Sequence, residues 1–401
     1  MSEWKKVKLG EICERVTSGG TPKANVSSYY NPPTIPWLKT KEVNYCRITE
    51  TENYISEEGL KNSSAKLISP NSVIIAMYGQ GDTAGRVAIN KIPLATNQAC
   101  CNLTIDKSKA DYEFIYYQLC TLYDKLVSLK AGAAQPNLNA RIIKNLEIIM
   151  PSLPIQHRIA SILSRYDSLI ENYQKQIKLL GEAAQRLYKE WFIDLHFPGH
   201  ENTNIIDGVP EGWEKKKVNS IIELQSGFAF KSSTFDDNGA YKIVTIKNVK
   251  DGAFDGDNVS RIVAIPEKMP KHCVLADGDI LLSLTGNVGR VCIVNGKNYL
   301  LNQRVAKLAT DFKAFTYCLF RSREMFIEIN NLANGAAQQN VSPIRIGEMK
   351  ILLPNNKLLQ VFESIVFKSI VRIISLQSQL RLLTEARDRL LPKLMSGEIT
   401  I

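Results

Sequence analysis

The sequence lacks the features that mark several classes of protein. It has only four histidines, its eight cysteines show no C-x-x-C spacing, and no uncharged apolar run approaches the ~18 residues that span a bilayer. His196 and His200 have a spacing that suits a metal, but Pro198 interrupts the helix that would align them. We therefore expect no metal site, no membrane span and reduced thiols, as in a cytoplasmic protein.

Signatures of catalysis are also incomplete. Residues 31–34 read Asn-Pro-Pro-Thr and resemble the Asn-Pro-Pro-aromatic motif of adenine methyltransferases, but Thr34 replaces the ring that would stack on a flipped base. Gly79-x-Gly81 leads into an apolar run typical of a strand, whereas a phosphate-binding loop leads into a helix. There is no Walker A loop, and the pair Glu348 and Lys350 has no aspartate placed for a metal-dependent nuclease. The sequence therefore predicts a chain that is not an enzyme and holds no cofactor itself.

Basic residues exceed acidic residues in both halves of the chain. The totals are 50 Lys and Arg against 40 Asp and Glu, a net charge of +10. Residues 1–200 carry 24 basic and 19 acidic side chains, and residues 201–401 carry 26 and 21. Such a surplus favours polyanionic partners, although a solvated basic surface is an equal interpretation of charge alone.

The chain contains an internal duplication. Residues 132–135 (Gly-Ala-Ala-Gln) recur at 335–338, and this offset of 203 continues without a gap through residues 389–390. Upstream the register drifts by a few residues but persists. The upstream matches are Ser18-Gly19 with Ser226-Gly227, Gly85-Arg86 with Gly289-Arg290, and Asn97-Gln98 with Asn302-Gln303.

Each copy combines a globular part with a long helix. Short apolar runs at 72–78 and 279–284 predict strands, and helical stretches follow near 112–129 and 312–332. We interpret these parts as α+β domains of about 150 residues. The predicted boundaries are 1–152 for domain 1, 153–197 for the first long helix, 198–355 for a linker and domain 2, and 356–401 for the second long helix.

The two long helices are expected to form an antiparallel coiled-coil pair. Apolar residues recur at steps of three and four, so each helix presents a stripe that it cannot bury alone. The chain would leave domain 1 along one helix and return from domain 2 along the other, which gives pseudo-two-fold symmetry and brings residues 394–397 near Trp4. The residues predicted to pack the pair are Ile159, Ile162, Leu169, Leu180 and Leu187 in the first helix and Phe362, Ile365, Leu376, Leu383 and Leu390 in the second.

This architecture suits a DNA target with two parts. Half-sites on one face of B-DNA lie about 34–36 Å apart or at multiples of that distance, and a helix of 36 residues is roughly 54 Å long. The alternative is a duplicated coiled-coil adaptor that binds a two-fold protein partner without nucleic acid.

Paired loops supply the candidate DNA-binding residues. Arginine can pair with guanine or clamp phosphate, and amides can pair with adenine edges. For any single residue a tight glycine turn explains the pattern better, but the recurrence in both copies favours DNA contact for the set. The candidates in the first copy are Ser18, Gly19, Gly79, Gln80, Arg86, Asn97, Gln98, Gln135 and Asn137. Those in the second copy are Lys215, Lys216, Gly286, Asn287, Arg290, Asn302, Gln303, Arg304, Gln338 and Asn340.

Segments in the middle and at the end of the chain resemble signature sequences of type I restriction-modification specificity subunits. Residues 187–192 (LYKEWF), 197–199 (FPG) and 208–213 (GVPEGW) resemble the central region of that family, and residues 389–399 (RLLPKLMSGEI) resemble its C-terminal signature. The resemblance extends over the whole chain and includes the duplicated layout.

The resemblance implies a function and a set of partners. The globular halves would be target recognition domains that read a bipartite sequence in double-stranded DNA, and the helices would dock two modification subunits that methylate adenine with S-adenosylmethionine. Restriction motor-nuclease subunits would add cleavage that uses ATP and magnesium. A related system, in which one partner subunit fuses nuclease and methyltransferase, is a second interpretation.

Overall fold

The chain forms two units. A computed structural model describes residues 4–130, 137–257, 259–333 and 339–401. Unit 1 comprises residues 1–169 and 384–401, and unit 2 comprises residues 170–383. Each unit therefore contains one predicted globular domain together with part of each long helix.

Unit 1 mixes short strands with helices, as predicted for domain 1. Its strands are β1 (Lys5–Lys8), β2 (Cys13–Ser18), β3 (Ile35–Leu38), β4 (Cys46–Ile48), β5 (Tyr54–Ile55), β6 (Leu67–Ile68), β7 (Val73–Ala76), β8 (Val87–Asn90), β9 (Leu94–Thr96), β10 (Cys100–Ile105) and β11 (Glu147–Met150). Its helices are α1 (Glu57–Lys61), α2 (Tyr112–Thr121), α3 (Tyr123–Ser128), α4 (Ala140–Lys144) and the first part of α5 (Leu153–Tyr188).

Two sheets build the globular part of unit 1. The five-stranded sheet has the order β2-β10-β7-β8-β4, and the four-stranded sheet has the order β5-β3-β9-β6. Strands β1 and β11 form a separate antiparallel pair. The side chains of β7 and β8 are buried along their whole length, because both faces of these strands are covered. The two helices α2 and α3 occupy the stretch in which the sequence predicts helix.

Unit 2 repeats this mixture of elements. Its strands are β12 (Ile205–Ile206), β13 (Val209–Pro210), β14 (Glu214–Lys217), β15 (Glu223–Ser226), β16 (Tyr241–Val244), β17 (Val249–Lys250), β18 (Ala253–Phe254), β19 (Ser260–Ile262), β20 (Val274–Leu275), β21 (Ile280–Ser283), β22 (Val291–Ile293), β23 (Tyr299–Leu301), β24 (Val305–Ala309) and β25 (Lys350–Leu353). Its helices are α6 (Lys313–Phe320), α7 (Arg323–Ala333), α8 (Pro343–Gly347) and the first part of α9 (Asn356–Met395), and α5 continues into a π-helical turn at Lys189–Ile193.

Among the described residues, the two larger sheets of unit 2 repeat the strand order of those in unit 1, except that no strand corresponds to β4 at the edge of the five-stranded sheet. The order β15-β24-β21-β22 corresponds to β2-β10-β7-β8, and β19-β16-β23-β20 corresponds to β5-β3-β9-β6. The only parallel pair of the second sheet also recurs, as β3 with β9 and as β16 with β23. The internal duplication therefore appears as a duplicated topology, and the predicted α+β class is confirmed.

The long helices take part in the core of each unit. In unit 1 the beginning of α5 and the end of α9 share a cluster that contains Leu163 and Leu394. In unit 2 the end of α5 and the beginning of α9 share another cluster, where the rings of Tyr188 and Phe362 lie 6.3 Å apart. Opposite ends of the helices therefore meet in each unit, as the antiparallel arrangement requires. A Cβ added at Gly397 would lie 3.1 Å from Nε1 of Trp4, which confirms the predicted proximity of these segments.

The residues predicted to pack α5 against its partner are partly wrong, because the face that this helix buries is shifted by about one residue along the sequence. Ile159 is buried and Ile162, Leu180 and Leu187 are half-buried, but Leu169 is 45% exposed while Ile170 is buried. The same face carries the buried polar residues Gln156 and Asp167. A search for apolar periodicity skips such positions and selects their apolar neighbours instead.

One of the residues predicted to pack α9 against its partner is wrong for a related reason. Phe362 and Leu376 are buried and Leu383 and Leu390 are half-buried, but Ile365 is 47% exposed and its neighbour Val366 is buried. Val366 belongs to the same cluster as residues from α6 and β21. The helix therefore turns toward its own globular domain as well as toward α5, and this second contact decides which of two adjacent apolar residues is buried.

Candidate nucleic-acid interface

Three loops that are distant in sequence meet at the end of β7 in unit 1. Met77, which follows β7, donates its N–H to the carbonyl of Ala99 (2.8 Å), and its own carbonyl accepts from the N–H of Leu138 (3.1 Å). The hairpin after β7, the turn that contains Asn97 and Gln98, and the segment that contains Asn137 are therefore brought together. Gln98 is exposed and Asn97 and Asn137 are half-buried.

The same convergence occurs in unit 2 at the end of β21. Leu284 donates its N–H to the carbonyl of Arg304 (3.0 Å) and accepts from the N–H of Val341 (2.9 Å). The hydroxyl of Thr285 donates to Oδ1 of Asn340 (2.9 Å), which fixes the orientation of that amide. Backbone pairing thus holds the predicted loops of both copies in equivalent positions.

In unit 2 these loops line an open cleft of about 600 Å³. Three of its lining residues are exposed candidates from two loops, Gln303 and Arg304 from one and Asn340 from the other. Arginine donates a planar fork of N–H groups, and amides both donate and accept, so this set can form hydrogen bonds with base edges or phosphates. The remaining lining residues are Leu284, Thr285, Val341, Ser342 and Pro343.

The Ser-Gly pairs have a structural task beside these loops. Gly19 is buried, and a Cβ on it would overlap the backbone of Asn97, so only glycine allows β2 to approach this turn. Gly227 approaches Asn302 in the same way. The exposed side chain next to Gly19 is Ser18. The recurrence of Ser-Gly and Asn-Gln in the two copies therefore reflects one repeated packing contact.

The glycine-rich hairpins require left-handed backbone conformations. Gly81 and Gly85 have φ values of +62° and +94°, and Gly286 and Gly289 have values of +73° and +84°. Gly79 is different, since a Cβ there would lie 2.8 Å from the Thr83 side chain. At the tips of the hairpins, Gln80 and Asn287 are exposed.

The two hairpin arginines differ in their partners. Arg86 lies 2.6 Å from the carboxylate of Asp82 in its own hairpin and donates from Nη1 to Oδ1 of Asn44 at 3.0 Å. The hydrogen bond from Arg86 lowers the pKa of Asp82 below its ordinary value, so the pair stays ionised at neutral pH. Arg290 is half-buried and has no acidic partner within 4 Å in the part of the chain that the structure describes. Arg290 is therefore the more available of the two for a phosphate.

Removing the Asp82 carboxylate is expected to release Arg86. The variant Asp82→Asn should increase DNA affinity at low salt and steepen the dependence of log K on log salt by roughly 0.9, the contribution of one further phosphate contact. The measurement is a salt titration of DNA binding for the full chain. The double variant with Arg86→Ala serves as the control and should restore the original slope, whereas an unchanged slope for Asp82→Asn alone would contradict a role of Arg86 at phosphate.

Other candidates have simpler positions. Lys215 and Lys216 are exposed on β14, which pairs with β25, and Lys216 lies 2.9 Å from Glu214. Gln135 and Gln338 lie outside the described residues. No group of three His, Cys, Asp or Glu side chains that could hold a metal occurs among the residues that the structure describes.

A buried polar network in unit 1 was not predicted from the sequence. Asp167 on α5 accepts from the Tyr117 hydroxyl (2.6 Å) and from Nη1 of Arg387 on α9 (2.8 Å). Arg47 donates from Nη2 to the Tyr117 hydroxyl at 3.0 Å, and its side chain is only 6% exposed. Burial alone would lower the pKa of Arg387, but the hydrogen bonds with Asp167 and Asp388 outweigh it and raise that pKa above its ordinary value. This network joins domain 1 to both long helices.

The duplication holds the signal that could have revealed this network. At the offset of 203, Asp167 corresponds to Ile370 and Arg387 corresponds to Ala184, and both of these residues are buried in unit 2. A complementary charge pair thus replaces an apolar pair at equivalent positions.

Comparison with known proteins places this arrangement in a family. A family model described as the type I restriction modification DNA specificity domain matches residues 1–180 and 210–381, one match for each copy of the duplication. The chain belongs to this family. Proteins of the family are the DNA recognition components of type I restriction-modification systems.

Relatives and solved structures agree with this assignment. The chain is 30% identical to the specificity subunit of the type I restriction enzyme MjaIX of Methanocaldococcus jannaschii, over 100% of this chain and 94% of the relative. It is 27% identical to the MjaVIII specificity subunit of the same organism, over 100% and 93%. Its fold is similar to the crystal structure of the S subunit of a type I system from M. genitalium, with a TM-score of 0.66 at 18% identity, over 98% of this chain and 96% of that chain.

Among the helices that the described residues form, none has the length and the apolarity that a membrane crossing would need.

Arg304 offers a direct test of the cleft in this specificity protein. Arg304→Ala should weaken binding of the cognate DNA by ~1–3 kcal/mol and relax specificity in only one part of the target, because the lost guanidinium is exposed in the cleft beside the amides of Gln303 and Asn340. The measurement is binding to duplexes substituted in either part. Arg372→Ala is the matched control, since Arg372 is exposed on α9 and does not line the cleft. Equal losses for the two variants would remove Arg304 from the interface.

Proposed function

We propose that the chain reads a bipartite double-stranded DNA target, one part with each domain, as the specificity subunit of a type I restriction-modification complex. The observation that carries the proposal is the convergence of the same three loops in both copies, at Met77 in unit 1 and at Leu284 in unit 2. In unit 2 these loops present Gln303, Arg304 and Asn340 to an open cleft. Two similar sets of DNA-contacting loops on one chain suit a target with two parts.

Membership of the family supports an extension of the proposal to partners. Two modification subunits would dock on the helical regions and methylate adenine with S-adenosylmethionine, and restriction motor-nuclease subunits would cleave with ATP and magnesium. The chain itself would be non-catalytic, would hold no cofactor and would act in the cytoplasm. The incomplete catalytic motifs of the sequence support this division of labour.

A methylome and a binding assay test the function together. The methylome of the source organism, read for N6-methyladenine, should contain a bipartite motif with a fixed spacer. The full chain, alone and assembled with its modification subunits, should bind a duplex that carries this motif more tightly than a scrambled duplex. Affinity should fall as salt concentration rises, because phosphate contacts release counterions. A protein without salt-dependent DNA affinity would instead be the coiled-coil adaptor that the sequence leaves as an alternative.

A further inference from the structure

Tyr45 has a backbone conformation that its side chain disfavours. Its φ is +52°, in the left-handed region where the Cβ atom crowds the neighbouring carbonyl oxygen. The residue precedes β4, and its N–H donates to the carbonyl of Val87 at 2.8 Å. The hydrogen bond ties this turn to the strand that follows the Arg86 hairpin.

In the second copy, a glycine occupies the equivalent position of this turn. Gly252 has a φ of +70°, and its N–H donates to the carbonyl of Val291 at 2.8 Å. Val291 follows Gly289-Arg290 as Val87 follows Gly85-Arg86. The turn therefore requires a residue with a positive φ but does not require a tyrosine. The strained backbone of Tyr45 lowers the stability of domain 1. Strain of this kind is retained where the side chain has a task of its own.

The side chain of Tyr45 lies beside the hairpin. Tyr45 is 39% exposed, and its ring meets the ring of Tyr123 edge to face at a centroid distance of 6.4 Å. Tyr123 donates its hydroxyl to the carbonyl of Asp82, and Asn44 accepts from Arg86. Among the described residues, the Tyr45 hydroxyl has no hydrogen-bond partner. Burial is the main cause that raises the pKa of this phenol, to about 12, so the hydroxyl remains a donor at neutral pH.

Unit 2 places a different donor at this position. A Cβ on Gly252 would lie 2.6 Å from Nη2 of Arg321, whose Nε donates to Asp251 at 3.0 Å. The Arg321 side chain is only 17% exposed and is bonded to Asp251 and to the Tyr317 hydroxyl, so it fills the space that a side chain on Gly252 would need. Domain 1 instead has a phenol at this position, and phenols donate hydrogen bonds to phosphate oxygens in protein–DNA interfaces.

We propose that Tyr45 contacts the DNA backbone in the part of the target that domain 1 reads, with its hydroxyl donating to a phosphate oxygen beside the Arg86 hairpin. This inference rests on the proposed function of the chain as a DNA-recognition subunit. It adds a residue that is absent from the candidates chosen by sequence.

Two substitutions in the full chain separate contact from packing. Tyr45→Phe keeps the ring and removes the hydroxyl, and it should lower affinity about 10- to 100-fold, the effect of one hydrogen bond to a charged phosphate. Tyr45→Gly should lower affinity at least as much and keep the melting temperature close to that of the parent, because the strain that glycine relieves at a positive φ offsets the packing against Tyr123 that is lost. Both losses should be equal for the motif-bearing duplex and a scrambled duplex, since phosphate contacts carry no sequence information.

Tyr54→Phe is the matched control, because Tyr54 belongs to the same unit and is also 39% exposed. It should leave affinity unchanged. Wild-type affinity for Tyr45→Phe overturns the inference, and so does wild-type affinity for Tyr45→Gly. DNA binding by the unmodified chain is measured before any variant is compared. If that chain shows no preference for the motif-bearing duplex, the proposed function is wrong, and this outcome is distinct from a failure of the inference about Tyr45.

Discussion

Replacing Arg387 by alanine is expected to lower the free energy of unfolding by about 3 kcal/mol, because Asp167 would remain buried without its closest charged partner. The side chains of Asp167 and Arg387 are 10% and 25% exposed, and their 2.8 Å contact links the two long helices in unit 1. Arg47, at 3.7 Å, is the nearest remaining cation. The loss should appear as a lower transition in urea unfolding and as faster hydrogen exchange around α2.

A double variant supplies the control for this prediction. Asp167→Ile combined with Arg387→Ala copies the apolar pair formed by Ile370 and Ala184 in unit 2, so no unpaired charge remains at the helix contact. It should recover a substantial part of the stability that Arg387→Ala loses, although Tyr117 loses its carboxylate acceptor. If the double variant is as unstable as Arg387→Ala alone, the cost does not come from burying a lone carboxylate.

Exchanging domain 1 is expected to change one part of the recognised sequence and to leave the other part intact. A graft that replaces residues 1–152 with the equivalent domain of a relative exchanges every domain 1 loop of the interface. Each base pair that no longer matches should cost ~1–3 kcal/mol, so the original first part should no longer be recognised. The measurement is the methylome or the binding preference of the assembled complex. A change in both parts at once would contradict independent reading by the two domains.

The buried network sets a condition on this graft. Tyr117 and Arg47 belong to the exchanged segment, whereas Asp167 and Arg387 remain in the recipient. A donor domain with tyrosine and arginine at these positions should give a chimera that melts close to the parent. A donor without them should melt lower even when its own domain is stable, and restoring the two residues should raise the melting temperature again.

The architecture could be predicted because the sequence contains the same pattern twice. Two copies of one pattern identified the domains, the long helices and the contact between Trp4 and the segment at Gly397. Periodicity also located the helices correctly, but it could not choose between adjacent residues such as Leu169 and Ile170. That choice depends on the globular domain against which the helix packs, and a local pattern does not contain this information.

The candidate site was predictable as a set of loops and not as a set of contacts. The recurrence of Asn-Gln and Gly-Arg selected loops that do converge, but Gly19 proved to be a packing requirement and Arg86 to be paired with Asp82. The strain at Tyr45 was invisible, because a positive φ on tyrosine follows from tertiary hydrogen bonding and not from residue preference. Partners for charged groups are likewise chosen by the fold.

The asymmetric helix contact also restricts how such a gene can evolve by recombination. A gene that joined two copies of the first half would place Asp167 opposite alanine, because Ala184 would stand where Arg387 stands now. A gene that joined two copies of the second half would place Arg387 opposite isoleucine. Either product would remove the partner of this charge on the facing helix and leave only Arg47 beside Asp167 or Asp388 beside Arg387, which is destabilising. The two halves of this chain are therefore complementary parts, and a rearranged gene preserves this helix contact only when each half retains its own position.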